Sequence, residues 1–406
     1  MAACRDKKFN NICHLENMNE NVLTMKNFDT CANETENHNI DNTPRETTEF
    51  LVKYRDRVYN VHNFLNNHPG GKNTLMRLKD QDLDKELAKN PHSKSAYYLL
   101  EEFAVQHQVR YNEYEVKGKA SCMLIKLMLL VNYRLGKLFF FQNFLNFILF
   151  QNLINWDKPI LWQVGFMGEQ YWEWVNLPVN RPIRFFQSDI LEKLSISPWY
   201  ILPIIWLPII TYFFYMGCVL NVSTNIGNSY FTVKNMYILF VITVQNILPS
   251  FILGLFIWTI LEYFFHRKIF HFRPPHNSKI LITLHFLMHG NHHKAPLDDR
   301  RQVFPPIFAL FLAAIAWEIY KVIFPMTLVH FIAAGSTMGY LGYDLMHYYL
   351  HNGAPMAESY LYIMKRKHNY HHFVHHEQGF GITNGLWDRI LNTDLTLRKL
   401  KEPLKW

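Results

Sequence analysis

Two stretches of the 406-residue sequence hold most of its histidines, at spacings suited to metal chemistry. The first, His266 to His293, reads HRKIFHFRPPHNSKILITLHFLMHGNHH and follows an apolar segment ending in WTILEYFF. The second, His347 to His376, reads HYYLHNGAPMAESYLYIMKRKHNYHHFVHH and follows another. Neutral imidazole binds transition metals through either ring nitrogen. Four groups result: His266/His271, His289/His292/His293, His347/His351 and His368/His371/His372. In each triplet, positions i, i+3 and i+4 share one face of a helix, so the three rings can converge on a metal. His347 and His351 also lie one turn apart, whereas the looser HRKIFH spacing leaves its two ends free to serve different metals. Ten such histidines exceed the needs of one ion and suit two. A lone HxxxH arises by chance on helices; two HxxHH groups with two further pairs do not.

Other polar residues nearby carry a weaker signal. Glu262 lies one turn before His266 and Asp344 three residues before His347, so either could accept an imidazole N–H. Both read equally well as polar residues at helix ends. His285, His375 and His376 are close enough to support the ligands, or are simply exposed. His276 and His330 read as structural.

The elements that must position these histidines are apolar. Trp199 to Leu220 and Tyr237 to Leu261 are long enough to span a bilayer, which takes ~20 residues. Val303 to Trp317 is shorter, and Val322 to Gly342 is rich in Gly, Ala and Ser, which suits close helix packing. This last pair reads as two spans or as a re-entrant hairpin. The Asn221–Met236 loop holds one basic residue, Lys234, and a glycosylation sequon at Asn221. The next loop holds Arg267, Lys268, Arg273, Lys279, Lys294, Arg300 and Arg301. The positive-inside rule puts the histidine loop in the cytosol, and two helical hairpins return the last histidines to the same side. The net charge of +8 is dispersed over loops. It therefore reads as a topology determinant, and nucleic acid is not expected as a partner.

The five cysteines have no CxxC or paired spacing, which fits a reducing, cytosol-facing protein. The N-terminus has no apolar core of signal-peptide length. Residues 1–47 form a polar, Asn-rich tail for which disorder is expected, and His14 and His38 have no assigned role. Residues 48–112 read as a small α+β domain. Such a domain buries little surface and often needs a cofactor to complete its core. Residues 113–198 read as a linker: two apolar runs between 121 and 150, interrupted by Lys126, Arg134 and Lys137, suggest interfacial helices. The aromatic stretch 156–198 suits a membrane–water interface.

VYNVHNFLNNHPGG followed by HSKSAYYLLEEFAV resembles a cytochrome b5 domain. The resemblance implies that His68 and His92, separated by 24 positions, ligate the iron of a b-type haem from opposite sides. Two axial imidazoles leave no open iron position, which suits electron transfer rather than oxygen binding. His62 and His107 match no ligand position.

A dimetal site with a one-electron donor beside it suits O2 activation and attack on an unactivated C–H bond. Zinc has no redox chemistry, so iron is the expected metal even where zinc fills the site. Front-end acyl desaturases carry similar boxes, but usually with Gln where this chain has His368. From residue 50 onward the chain resembles the fatty acid hydroxylase superfamily, and within it the fatty acid 2-hydroxylases. The resemblance rests on HPGG, WQVG, PVNRPIRFFQSD, HRKIFHF, LMHGNHHKAPLDDRR, YDLMHYYLHNG and HHFVHHEQGFGITNGLWD. Residues 118–150 and the Asn-rich tail depart from the family pattern.

The implied architecture is an N-terminal α+β haem domain and, over 199–406, an all-α integral membrane domain. Four apolar helices would carry a cytosolic, His-rich dimetal cap. The implied activity is O2-dependent 2-hydroxylation of long acyl chains, as fatty acid, acyl-CoA or ceramide, for sphingolipids of the endoplasmic reticulum. NAD(P)H would supply electrons through a cytochrome b5 or P450 reductase. A fused desaturase, a sterol oxidase and an inactive haem- and metal-binding membrane protein are the competing expectations.

Overall fold

The computed structural model describes residues 49–55, 57–105, 150, 153–226, 233–400 and 402–406. The tail 1–47 and the apolar runs of 121–149 lie outside the described residues, as do His14, His38 and His107. Near its start the described chain alternates Val52, Tyr54 and Tyr59 inward, and this pattern makes a two-stranded antiparallel ribbon. Strands β1 (Leu51–Tyr54) and β2 (Arg57–Asn60) pair with Val52 opposite Tyr59. A short turn of helix (His62–Asn67) leads to Gly71, whose φ of +82° suits glycine, and then to α1 (Lys72–Met76). Helices α2 (Asp84–Lys89) and α3 (Lys94–Glu101) complete the unit, the latter capped by the Ser93 hydroxyl accepting from the Ala96 N–H. Phe373, from far along the chain, joins its core.

Residues 156–198 are more than a surface linker. Helices α4 (Leu161–Val164) and α5 (Tyr171–Val175) place Val164, Tyr171 and Trp174 in a fully covered core with Ile282 and Phe286. One face stays outward: Trp162, Phe166 and, on α6 (Asp189–Leu194), Ile190 and Leu194 are exposed. The segment is thus a packed layer with an apolar outer surface.

Four long helices follow: α7 (Ile201–Ile226), α8 (Val233–Phe264), α11 (Pro306–Ile323) and α12 (Met326–Asn352). Among the described residues three stretches are long and apolar enough to cross a membrane: Ile201–Asn221, Gln245–Phe270 and Pro306–Ile323. The third runs past the expected Trp317 and reaches 18 residues. These helices turn Ile204, Leu207, Ile252, Phe256, Phe311 and Ile315 outward, as lipid-facing helices do. Helix α12 is different. Val329, Phe331, Ile332 and Ala334 are fully buried, so it lies in the middle of the bundle and needs less apolar surface of its own.

Small residues set that arrangement. A Cβ at Gly335 would meet the Phe251 carbonyl oxygen at 2.1 Å, and one at Gly254 would meet that of Ile332 at 2.2 Å. The backbones of α8 and α12 touch there, and the Ser336 hydroxyl donates to the Gly254 carbonyl across 3.0 Å. The remaining elements, α9 (Lys279–His285), α10 (Asn291–Lys294), α13 (Tyr360–Phe373) and α14 (Leu386–Ile390), form a cap over one end of the bundle.

Candidate metal centre and haem pocket

All ten histidines singled out by spacing meet at the cap, and they form two groups. His266, His271, His289, His293 and His371 make one, and His292, His347, His351, His368 and His372 the other. Within each group one ring nitrogen per residue lies within 4.8 Å of all the others. Each HxxHH box is divided: its i and i+4 members go to one group and its i+3 member to the other. The shared-face expectation for the triplets is corrected on this point. Successive helical residues diverge by about 100°, so adjacent histidines cannot reach one ion.

The loosely spaced pair is corrected in the opposite sense, since both its ends join the same group. Residues Phe265–Phe270 form a π-helix, in which the His271 N–H donates to the His266 carbonyl across 3.0 Å. This wider turn swings positions i and i+5 side by side, and the two ring centres stand 4.9 Å apart. A second π-turn, Phe286–Gly290, carries His289.

The nitrogens stand where a metal would need them. Nε2–Nε2 separations are 3.1 Å for His293–His271 and His293–His289, and 3.0 Å for His371–His271. In the other group they are 3.1 Å for His351–His292 and His372–His368, and 2.7 Å for His368–His351. Ligands at right angles on a metal with bonds of about 2.1 Å would stand about 3.0 Å apart. Burial, with neighbouring rings adding to it, holds His271, His289, His292, His293, His368, His371 and His372 well below the ordinary imidazole value. They are therefore neutral, with lone pairs available. The Nε2 of His266 is buried without a hydrogen-bond partner. The residues fit a pair of ions.

Backbone carbonyls orient three of the rings, and neither Glu262 nor Asp344, for which two readings were open, bonds an imidazole. His266 Nδ1 bonds the Phe380 carbonyl at 2.6 Å, His371 Nδ1 that of Gln378 at 2.7 Å, and His347 that of Gln302. An N–H donated there leaves Nε2 for a metal. Glu262 touches no imidazole; it accepts the N–H groups of Ile382 and Thr383 at 2.8 and 2.7 Å. Buried Asp388 accepts those of Phe380 and Gly381 at 3.0 and 2.8 Å. Together they pin the loop that orients His266. Asp344 accepts from the Phe304 N–H and the Tyr340 hydroxyl, again not from a ligand. Spacing cannot reveal a carbonyl, so Gln302 had no signal; Gln378, Phe380 and Asp388 all stood inside HHFVHHEQGFGITNGLWD, where nothing marked them as positioning groups. His285 lies outside both groups and bonds the Tyr171 hydroxyl at 2.5 Å. His276 and His375 are exposed, His376 rests on Trp172, and His330 packs between Phe213 and Trp317.

Two cavities lie near the metal groups. One, of about 670 Å³, runs among the long helices and is lined by Trp206, Phe213, Trp258 and Tyr340. The other, of about 260 Å³, reaches His289, His292 and His347. Both are lined by Phe270, Phe304 and Tyr343.

In the N-terminal unit, His68 and His92 face each other across a cavity of about 520 Å³. Their ring centres stand 6.4 Å apart with 18° between planes. Two imidazoles bound end-on to one iron would hold their centres about 6 Å apart. The Nδ1 of His68 bonds the Gly71 carbonyl at 3.0 Å and that of His92 the Asn90 carbonyl at 2.7 Å, which leaves both Nε2 atoms for the iron. A Cβ at Gly70 would meet the His68 ring at 2.7 Å, so glycine is required beside the ligand. Burial pushes His68 down to about 4. These residues fit a haem.

A haem-type unit joined to a helical bundle with two histidine groups defines the class as an oxidoreductase with a cytochrome b5-like domain. Family models agree: the cytochrome b5-like haem/steroid binding domain matches residues 32–138 and the fatty acid hydroxylase residues 251–393. The chain is 38% identical to the fatty acid 2-hydroxylase of Macaca fascicularis, covering 84% of this chain and 90% of that protein. It is 37% identical to the dihydroceramide fatty acyl 2-hydroxylase of Arabidopsis thaliana over 59% of this chain and 92% of the relative. A solved structure of full-length scs7p, with only the hydroxylase domain visible, superposes with a TM-score of 0.50 at 26% identity, covering 60% of this chain and 86% of that one. The chain belongs to the fatty acid 2-hydroxylase family, and it is an enzyme.

Proposed function

We propose that the chain hydroxylates the 2-position of long acyl chains, as fatty acid or ceramide, with a di-iron centre held by the ten histidines. The haem held by His68 and His92 supplies the electrons. The observation that carries this reading is the pair of five-histidine groups with a cavity reaching His289, His292 and His347 and a larger apolar one sharing its Phe270, Phe304 and Tyr343 wall. Two bound irons would supply reduction of O2 and attack on a C–H bond beside the acyl carbonyl.

The protein's own residues handle the rest. An acyl tail fits the cavity lined by Trp206, Phe213, Trp258 and Tyr340, whose apolar walls exclude water. The tail's carbonyl end would pass Phe270, Phe304 and Tyr343 into the smaller cavity beside His289, His292 and His347. Phe380, Gln378 and Gln302 hold ring protons through their carbonyls, so the opposite nitrogens face the metals. The charge pattern of the loops supports a cytosolic cap and haem unit in the endoplasmic reticulum membrane. NAD(P)H would then reduce the haem through a cytochrome b5 or P450 reductase.

Lipid analysis of cells expressing the chain under ¹⁸O2 tests the reading. The expected result is 2-hydroxy acyl chains carrying the label, absent with His292→Ala although the haem spectrum is unchanged. New double bonds would point to a desaturase, and no lipid change with haem and metal bound would overturn the proposal.

A further inference from the structure

The cavity between His68 and His92 is not closed by the N-terminal unit alone. Val52, Phe64, Leu75 and Leu99 line one side, and among the described residues of this unit that line the cavity none is Lys, Arg, Asp or Glu. The charged lining residues are Arg366 on α13 and Arg398 in the C-terminal segment, both from the hydroxylase part. A b-type haem brings two carboxylates. Carboxylates need a cation or donors when they leave water, and arginine meets a carboxylate with two parallel N–H groups.

We propose that Arg366 and Arg398 bind the haem carboxylates, so that the hydroxylase part completes the haem pocket; this rests on the haem-binding reading of His68 and His92. Other contacts hold both residues in place. Arg366 donates to the Arg398 carbonyl at 2.5 Å, and its guanidinium lies 5.8 Å from the centre of the Tyr362 ring. Arg398 donates to the Asn90 side chain at 3.3 Å, and the Asn90 carbonyl holds the His92 ring. Further on, the terminal segment is fastened across the HPGG turn. The Lys72 N–H donates to the Lys405 carbonyl at 2.6 Å and the Lys405 N–H to the Asn73 side chain at 3.2 Å. A Cβ at Gly71 would meet that Lys405 carbonyl at 2.9 Å.

The placement has a consequence for electron flow. Helix α13 lines the haem cavity with Asn369, Tyr370 and Phe373, and contributes His368, His371 and His372 to the metal groups. Anchoring haem to Arg366 therefore ties it to the element that carries metal ligands, with one helix, about 10 Å across, between the two sites.

The test titrates haem-free full-length chain with haemin and with haemin dimethyl ester, which lacks free carboxylates, following the Soret band. Wild type is expected to bind the diester at least about tenfold more weakly than haemin. Arg366→Gln/Arg398→Gln should weaken haemin by a similar factor, abolish the discrimination and move the haem midpoint potential to more negative values. Equal binding of both haems by wild type, where no variant is needed, would overturn the proposal, as would discrimination retained in the double variant. A wild-type chain with no His68-dependent Soret band would instead bring down the haem-binding reading itself.

Discussion

His371 and His368 stand one helical turn apart yet belong to different metal groups. His371→Ala and His368→Ala are therefore each expected to lower bound metal from about two ions per chain toward one, with the haem spectrum intact. Elemental analysis of the purified variants checks this; loss of both ions from either variant would show that the groups fill as a unit. Asp388 acts at one remove, through the loop that orients His266. Asp388→Ala leaves two buried N–H groups without their acceptor, at a cost of about 1–3 kcal/mol each. It should weaken metal binding by about 10–100-fold, measured by chelator competition. Protons set a further expectation at this scale. Burial lowers His68 and His285 from 6.5 to about 4. Between those values the unfolded chain takes up protons that the folded chain refuses, so stability falls as pH drops from 6.5 toward 4. For His68 the loss approaches about 3 kcal/mol in metal- and haem-free protein. Chemical denaturation between pH 7 and 4.5 reads it, and a flat profile would contradict the sign.

Among the elements, the crossing of α8 and α12 decides whether the ligands meet. These helices carry His347 and His351 directly and lead into the π-turn of His266, and they touch backbone to backbone at Gly254 and Gly335. Gly335→Leu would have to push them apart by most of a side chain. Overpacking of this kind costs about 1–3 kcal/mol or more, and metal content should fall with thermal stability in detergent. Gly342 has open space beside its Cβ position, so Gly342→Ala is the control expected to change neither. The composition of Val322 to Gly342 pointed to close packing, and its small residues do form the contact. That this helix is central was not legible, because centrality depends on which neighbours cover it. The two π-turns were equally hidden: HRKIFH alone does not say whether residues 266 and 271 diverge, and only the widened turn makes them neighbours.

Across the whole molecule, the haem unit is fastened to the hydroxylase part at several points. Arg181 donates to both oxygens of Glu102, whose side chain is 4% exposed. Lys94 pairs with Glu173, and the Ser93 hydroxyl bonds the Phe373 carbonyl. Lys294, wholly buried beside His293, donates to the Trp174 and Leu177 carbonyls and lies over the Trp174 ring. The aromatic layer of residues 156–198 thus contacts the haem unit through Arg181 and Glu173 and the cap through Trp174 and Leu177. Arg181→Ala removes both N–H groups that this contact presents to Glu102. The expected outcome is a chain that keeps its haem spectrum and its metal but transfers electrons from haem to the metal cap more slowly in stopped-flow reduction. Unchanged transfer would mean that docking does not depend on this pair.

The sequence by itself determined the chemistry and its parts. Ten histidines in four groups, His68 of HPGG with His92 24 positions on, and apolar runs of membrane length were all present in the one-dimensional string. They are legible there because metal ligation demands residue types, and membrane burial demands length. Tertiary structure alone decided the partition. Which imidazole shares an ion with which follows from helix phase, two π-turns and the crossing at Gly254 and Gly335. Which carbonyl holds His266, 114 residues away, and which arginines face the cavity between His68 and His92 follow from how separate segments pack. Those are relations between distant backbones, and no local pattern encodes them.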